Sequence, residues 1–205
     1  MTNERLEELL YEAKMTMANG DTEKCLSLCN QAYMLDNENI DVLGMLGDVH
    51  LIRGDLARAK EYYSDGKMAH PNNVYIRNSL ANIYFEQKDY GKSSEEIAET
   101  LEISPDDIGS RYLLGAIKLN LGDLDVARED FEKIIKRRVN MPPGTIGRET
   151  QEISIINSYL SLYGIHRHDH DLAGCIKIFG KAWVFNTKCR LSKTLYRISG
   201  GLIRV

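Results

Sequence analysis

The sequence predicts an all-α chain of stacked, repeating units, and three observations carry that expectation. Gly20-Asp21, Gly54-Asp55, Lys88-Asp89 and Gly122-Asp123 recur at intervals of 34 residues. A fixed period in this range marks supersecondary units too small to bury their apolar faces alone, which therefore share a core with their neighbours. Small residues at Ala13, Gly47, Ala81 and Gly115, and large ones at Tyr63, Ile97 and Phe131, fall at constant offsets within that period. Pro71 and Pro105 stand where one repeat passes to the next, and proline can open a helix but not continue one.

Taken in order, four repeats occupy 6–39, 40–73, 74–107 and 108–139 in continuous register. The first carries Leu9, Ala13, Thr16, Cys25, Cys29, Ala32 and Asn37. The second reads Leu43-x-x-Leu46-Gly47-x-x-His50, then Ala59-x-x-x-Tyr63, then Pro71. The third holds Arg77, Leu80-Ala81, Tyr84, Ser93, Ile97 and Pro105 in the same places; the fourth holds Arg111, Leu114-Gly115, Lys118, Ala127 and Phe131, with Val139 at the proline position. In order, spacing and size these residues resemble the tetratricopeptide repeat family, without that family's tryptophan at the start of the first helix. The resemblance implies an all-α fold, a right-handed superhelical solenoid of about five helix-turn-helix hairpins with a C-terminal capping helix.

The residue types have a physical reason. The small residues sit where the two helices of a hairpin approach closely, and a larger side chain would force them apart. Ala59 and Ala127 meet the same constraint from the second helix, while Tyr63, Ile97 and Phe131 one turn later fill the space between repeats. Ser104-Pro105-Asp106-Asp107 reads as an N-cap, a first-turn proline and acidic residues favoured by the helix dipole.

After the fourth repeat the register breaks. Residues 140–148 hold two prolines and two glycines and read as a connector. A fifth, degenerate hairpin over 149–187 resumes the pattern once 14 residues are inserted, with Cys175, Phe179 and Ala182 aligned on Ala127, Phe131 and Ile134. Residues 188–205 come last as a capping helix and tail, with Leu191, Leu195 and Ile198 at helical spacing, as a terminal repeat needs for solubility.

Composition agrees with a substantial folded body: 205 residues, 43% hydrophobic and 27% charged. No apolar run approaches the ~20 residues that span a bilayer, and the acidic amphipathic start lacks the features of a secretion signal, so a cytoplasmic protein is expected. Cys25, Cys29 and Cys175 take core places and read as buried free thiols. His166, His168 and His170 fall in the turn of the fifth hairpin; a solvated turn is the expectation there, and no metal or other cofactor is expected. No phosphate loop, dinucleotide fingerprint, nucleophile elbow or Cys-x-x-Cys occurs, and the carboxylates lie along polar helix faces, so no enzyme is expected.

Function then rests on surface. In the family it resembles, the concave face is lined by the first helix of each repeat, which here presents Asp41, Met45, Asp48 and Ile52, then Tyr75, Asn78, Asn82 and Phe85, then Tyr112, Ala116 and Leu119. Asparagine amides both donate to and accept from an extended backbone, and the aromatic rings offer anchoring area. The expectation is an adaptor or scaffold holding a segment of another protein in that groove. One subset of the family clamps a C-terminal carboxylate with lysines, asparagines and an arginine; the matching places here are Leu10, Lys14, Met45, Tyr75 and Ser79, four of which lack the required donor type.

Charge supplies the alternative. Residues 1–135 carry 26 acidic and 14 basic side chains, net −12, whereas 136–205 carry 4 and 12, net +8. The basic patch Lys136, Arg137 and Arg138, with the rest of the basic C-terminal region, could contact nucleic acid or another acidic surface, making the chain a regulatory recruitment protein, or could drive head-to-tail homo-oligomers. The same cations also suit a helix C-terminus, so nucleic acid is disfavoured as the main partner.

Overall fold

The 34-residue signal is a turn with a defined geometry. Gly20, Gly54 and Gly122 all adopt the left-handed conformation, with φ of 80°, 78° and 89°, and Lys88 and His170 do so at φ of 60° and 56°. The N–H of the next residue, an aspartate, then reaches back to the last turn of the preceding helix: Asp21 to Thr16, Asp55 to His50, Asp89 to Tyr84, Asp123 to Lys118 and Asp171 to His166. This six-to-one closure satisfies carbonyls that a helix end otherwise leaves orphaned. The same aspartates open the next helix, and four of them accept with their side chains from the N–H of Lys24, Arg58, Lys92 and Gly174. One dipeptide thus ends one helix and begins another, which is why it repeats.

The structure, a computed structural model, describes residues 2–136 and 148–189. Arg137, Arg138, the connector up to residue 147 and the tail from Arg190 lie outside the described residues. Among the described residues there are ten α-helices and no strand: α1 Thr2–Ala18, α2 Thr22–Leu35, α3 Ile40–Ile52, α4 Leu56–Ala69, α5 Val74–Glu86, α6 Tyr90–Ile103, α7 Ile108–Leu121, α8 Leu124–Lys136, α9 Arg148–His168 and α10 Leu172–Cys189. The fold is an all-α repeat of helical hairpins. It divides into two units, Met1–Pro105 and Asp106–Val205.

In the N-terminal unit each helix packs on the next, from α1 through α6. One core gathers Leu6, Leu9, Ala13, Cys25, Cys29, Val42 and Leu46; another gathers Ala59, Tyr63, Ile76, Leu80 and Ile83. Tyr63 is fully buried because Gly47 offers it no side chain: a Cβ at that position would overlap the ring. Burying such a ring is worth about 2–3 kcal/mol relative to leaving it in water. A polar pin ties the third hairpin to the chain entering it. The Nε of the buried Arg77 donates to the carbonyl of Pro71 at 2.6 Å, and its Nη1 meets Glu96 at 3.0 Å and also Glu99, while Lys67 reaches Glu96 at 2.5 Å. Cys25 and Cys29 are buried free thiols, and burial pushes the Cys29 thiol far up.

In the C-terminal unit α7 packs on α8, α8 on α9 and α9 on α10, with α7 also touching α9. Their core holds Ile108, Ala127, Phe131, Ile134, Ile155, Tyr159, Leu162, Ile165 and Ile178. Phe131 repeats the Tyr63 arrangement: a Cβ on Gly115 would stand 2.9 Å from its ring.

Two expectations need correction. Ser104 ends α6 as its C-cap, and Asp107 caps α7, its carboxylate accepting from Ser110 N–H at 2.7 Å; Pro105 and Asp106 lie in the turn between. In the fifth hairpin Cys175 is buried as the alignment requires, but Phe179 is 60% exposed and Ile178 is buried instead. The reason is on α9. The place of Gly115 is taken by Tyr163, whose carbonyl faces the Cys175 Sγ at 3.9 Å just as Ala13 faces Cys25 and Ala81 faces Ser93. Position 163 thus lacks the glycine that admits the ring in the second and fourth hairpins, and Tyr163 is itself 37% exposed.

Candidate functional site

The repeat geometry brings two polar rungs across the first helices of the N-terminal unit. Lys14 on α1 and Asp48 on α3 are equivalent places one repeat apart, as are Asp41 on α3 and Tyr75 on α5. Each of the first pair reaches the second member 27 residues on. Lys14 Nζ meets Asp41 Oδ2 at 3.1 Å, with both side chains 57% exposed. Tyr75 donates its hydroxyl to Asp48 Oδ1, and Tyr63 donates to the same oxygen from α4 at 2.6 Å. Capping fixes where these helices start: Asn39 caps α3 by accepting from Asp41 and Val42, and Asn73 caps α5 by accepting from Ile76.

The two rungs differ in charge. The first is a neutral ion pair in water, worth little to stability. The second holds a half-buried carboxylate with two phenols and, among the described residues, no paired cation; its Oδ2 accepts no hydrogen bond there. Burial pushes the Asp48 carboxyl above its ordinary range, with the two phenolic hydrogen bonds pulling it back. Burial and the neighbouring carboxylate push both phenols upward too, Tyr63 far beyond the ordinary range. The ring of Tyr75 stands edge-on to Tyr63 at 6.4 Å between centroids, yet its own side is 49% exposed. Gly44 makes room for it, a Cβ there lying 3.3 Å from Tyr75 Cε1.

Around this rung Ile52 is 60% exposed, Asn82 is exposed with its amide donating to the Asn78 carbonyl, and Phe85 is half-buried against Tyr90, centroids 5.7 Å apart. Asn78 is half-buried. Met45 belongs to the core at 6% exposure, so it offers little surface. Tyr112 and Leu119 sit in the C-terminal unit, Tyr112 half-buried at 5.8 Å from Phe131, with Ala116 buried on the same helix. Lys136 is exposed and pairs loosely with Glu132 at 3.5 Å; Arg137 and Arg138 lie outside the described residues. Tyr63 is the residue that sequence reasoning assigns to packing alone. Its signal is its type: a buried tyrosine, unlike the phenylalanine at 131, brings a hydroxyl that needs an acceptor.

At the turn of the fifth hairpin His166 Nδ1 lies 2.8 Å from Asp171 Oδ2, His168 lies 3.4 Å from Asp169, and Asp169 pairs with Arg128. Among the described residues no three His, Cys, Asp or Glu side chains gather as a metal would need. No helix among them is long and apolar enough to cross a membrane.

Comparison with known proteins agrees with this architecture. Two models described as tetratricopeptide repeat match, one over residues 16–83 and the other over 74–107 and 108–138. The BBSome complex member BBS4 of Bos taurus is 28% identical over 121 residues, 59% of this chain; the chain spans only 23% of that relative's length. Among solved structures, BtubC (BKLC) from P. vanneervenii aligns with a TM-score of 0.70 at 17% identity, over 90% of this chain and 81% of that one. YrrB, described as a TPR protein with an unusual peptide-binding site, aligns with a TM-score of 0.57 at 14% identity over 98% of both chains. With the repeated turn, the small-on-large packing and the matched models covering more than half of its length, the chain belongs to the tetratricopeptide repeat family.

Proposed function

We propose that the chain is an adaptor whose N-terminal unit holds an extended segment of a partner protein along the row of first helices α1, α3 and α5. Tetratricopeptide repeats serve in general as protein-interaction scaffolds, and nothing in the sequence assembles a catalytic constellation. The observation that carries the reading is the exposed ring of Tyr75, fixed by its hydrogen bond to Asp48, with exposed Ile52 one turn beyond Asp48 on α3 and exposed Asn82 two turns beyond Tyr75 on α5. An aromatic ring already immobilised loses little entropy on binding, and the asparagine amide can pair with a backbone of any sequence. Two relatives point the same way: one is a member of a protein complex, another a repeat protein with a peptide-binding site.

Photo-crosslinking tests this. A benzophenone amino acid placed at Ile52 or Asn82 of the intact chain is expected to capture a partner by a defined peptide, and one placed at exposed Met34 or Met68 on the second helices is not. Capture from Met34 or Met68 alone would overturn the assignment.

A further inference from the structure

The Asp48 rung differs from its neighbour in one respect that binding would use. Across α1 and α3 the polar rung is closed by Lys14, so the carboxylate of Asp41 has its cation. Across α3 and α5 the equivalent rung is closed by Tyr75, a neutral donor, with Tyr63 as a second neutral donor on the same oxygen. Hydroxyls stabilise a carboxylate but do not neutralise it, and a half-buried carboxylate with no counter-charge is an expensive arrangement. The N-terminal unit as a whole deepens the imbalance: residues 1–105 carry 19 Asp and Glu against 10 Lys and Arg, net −9.

We infer that Asp48 and the exposed face of Tyr75 together form a subsite for a cationic side chain, arginine or lysine, of the partner segment. This rests on the reading of the α1, α3 and α5 row as the partner-binding face and adds to it the chemistry of one contact. Asp48 Oδ1 is held by the two phenols, and Oδ2 takes the cation. Tyr75 presents ring area beside that oxygen, and an aromatic face attracts a cation in addition to the carboxylate. A charge-assisted bond of this kind is stronger than a neutral one and favours arginine, whose planar fork can engage oxygen and ring together. Protonation of Asp48, which its burial favours, opposes the binding, so affinity weakens as the solution is acidified.

The test uses the intact chain, labelled with nitrogen-15, and four peptides on one extended glycine-serine backbone that carry arginine, lysine, citrulline or glutamate at the same sites. Amide resonances of Tyr75, Asn78 and Asn82 report the site. The arginine and lysine peptides are expected to move these resonances and to bind about tenfold or more tightly than the citrulline peptide, the glutamate peptide least of all. Asp48→Asn keeps an oxygen for both phenols and is expected to reduce the arginine peptide to the citrulline level. Asp65→Asn, which removes the same charge from α4, is expected to change little. Equal affinity of the arginine and citrulline peptides, or an unchanged arginine affinity in Asp48→Asn, overturns the cation subsite while the row still binds peptide. If none of the four peptides moves resonances on α3 or α5, the subsite and the binding row fall together.

Discussion

The hairpins α3–α4 and α9–α10 share their turn and differ in what stands behind it. Near the end of each first helix a histidine carbonyl receives the aspartate N–H, each turn residue is left-handed, and each aspartate caps the second helix. Behind the first turn, Gly47 lets Tyr63 bury its whole ring. Behind the second, Tyr163 fills the glycine's place and Phe179 is left 60% exposed, in line with exposed Leu172, Ile176 and Trp183. A turn therefore sets where a hairpin folds back, while the small residue behind it is what admits the large ring of the returning helix.

The sharpest way to break this comparison is to remove the two rings. Tyr63→Ala empties a fully buried site and is expected to cost about 4 kcal/mol, the range for losing a large buried ring. Phe179→Ala, at the aligned place of the fifth hairpin, is expected to stay within about 0.5 kcal/mol, as exposed substitutions do. Urea denaturation monitored by circular dichroism separates them. Equal losses at both sites would mean that Phe179 is packed like Tyr63 and that the exposed stripe on α10 is misassigned.

Glycines on the first helices sharpen the contrast. A Cβ at Gly47 overlaps the Tyr63 ring, so Gly47→Ala is expected to destabilise by about 2 kcal/mol through overpacking. Gly164, inside α9, has no neighbour within 4 Å of an added Cβ. Gly164→Ala is expected to stabilise by about 0.5–1 kcal/mol, because alanine relieves the entropy cost of a mid-helix glycine. Opposite signs in thermal melts are the outcome that fits; a common sign would show that α9 packs there as α3 does.

How much of this is legible in the sequence depends on whether the information is local. The repeated dipeptide encodes a left-handed residue and an N-cap, both decided within a few residues, so the hairpins and their class can be read directly. The fifth hairpin is legible from its second helix, where Cys175 fits the pattern. The conflict lies on the first helix, where Tyr163 takes a glycine's place, and a size mismatch between two helices is visible only when both are aligned. The rung is half legible. Asp48 and Tyr75 fall on one row by spacing, but the convergence of Tyr63 from α4 on the same oxygen is a three-dimensional fact. Met45 shares the row's spacing and still turns into the core, because α3 packs against α2 on one side and α4 on the other.

The smallest expected effect concerns the two histidines at the turns. His50 is 4% exposed, stacks on Tyr62 with centroids 5.4 Å apart, and its Nδ1 has no hydrogen-bond partner among the described residues, Asp55 Oδ2 standing off at 3.7 Å. His166 instead meets Asp171 at 2.8 Å. Burial holds the His50 imidazole below its ordinary value near 6.5, with Asp55 opposing and Arg58 and Arg53 assisting. Above that value the ring is neutral in folded and unfolded chains alike, and the full stability is present. As the pH falls through it the unfolded chain binds the proton first, so stability is lost until the folded His50 also protonates. Asp48 acts in the opposite sense, since its raised pKa means that acidification favours the folded state by neutralising a desolvated charge. The net slope of the wild-type chain therefore mixes two signs, and only a single variant separates them. His50→Gln is expected to flatten the loss of melting temperature between about pH 7 and about pH 5. An unchanged acid slope in His50→Gln would place the sensitivity elsewhere and remove the physical distinction between the two turns.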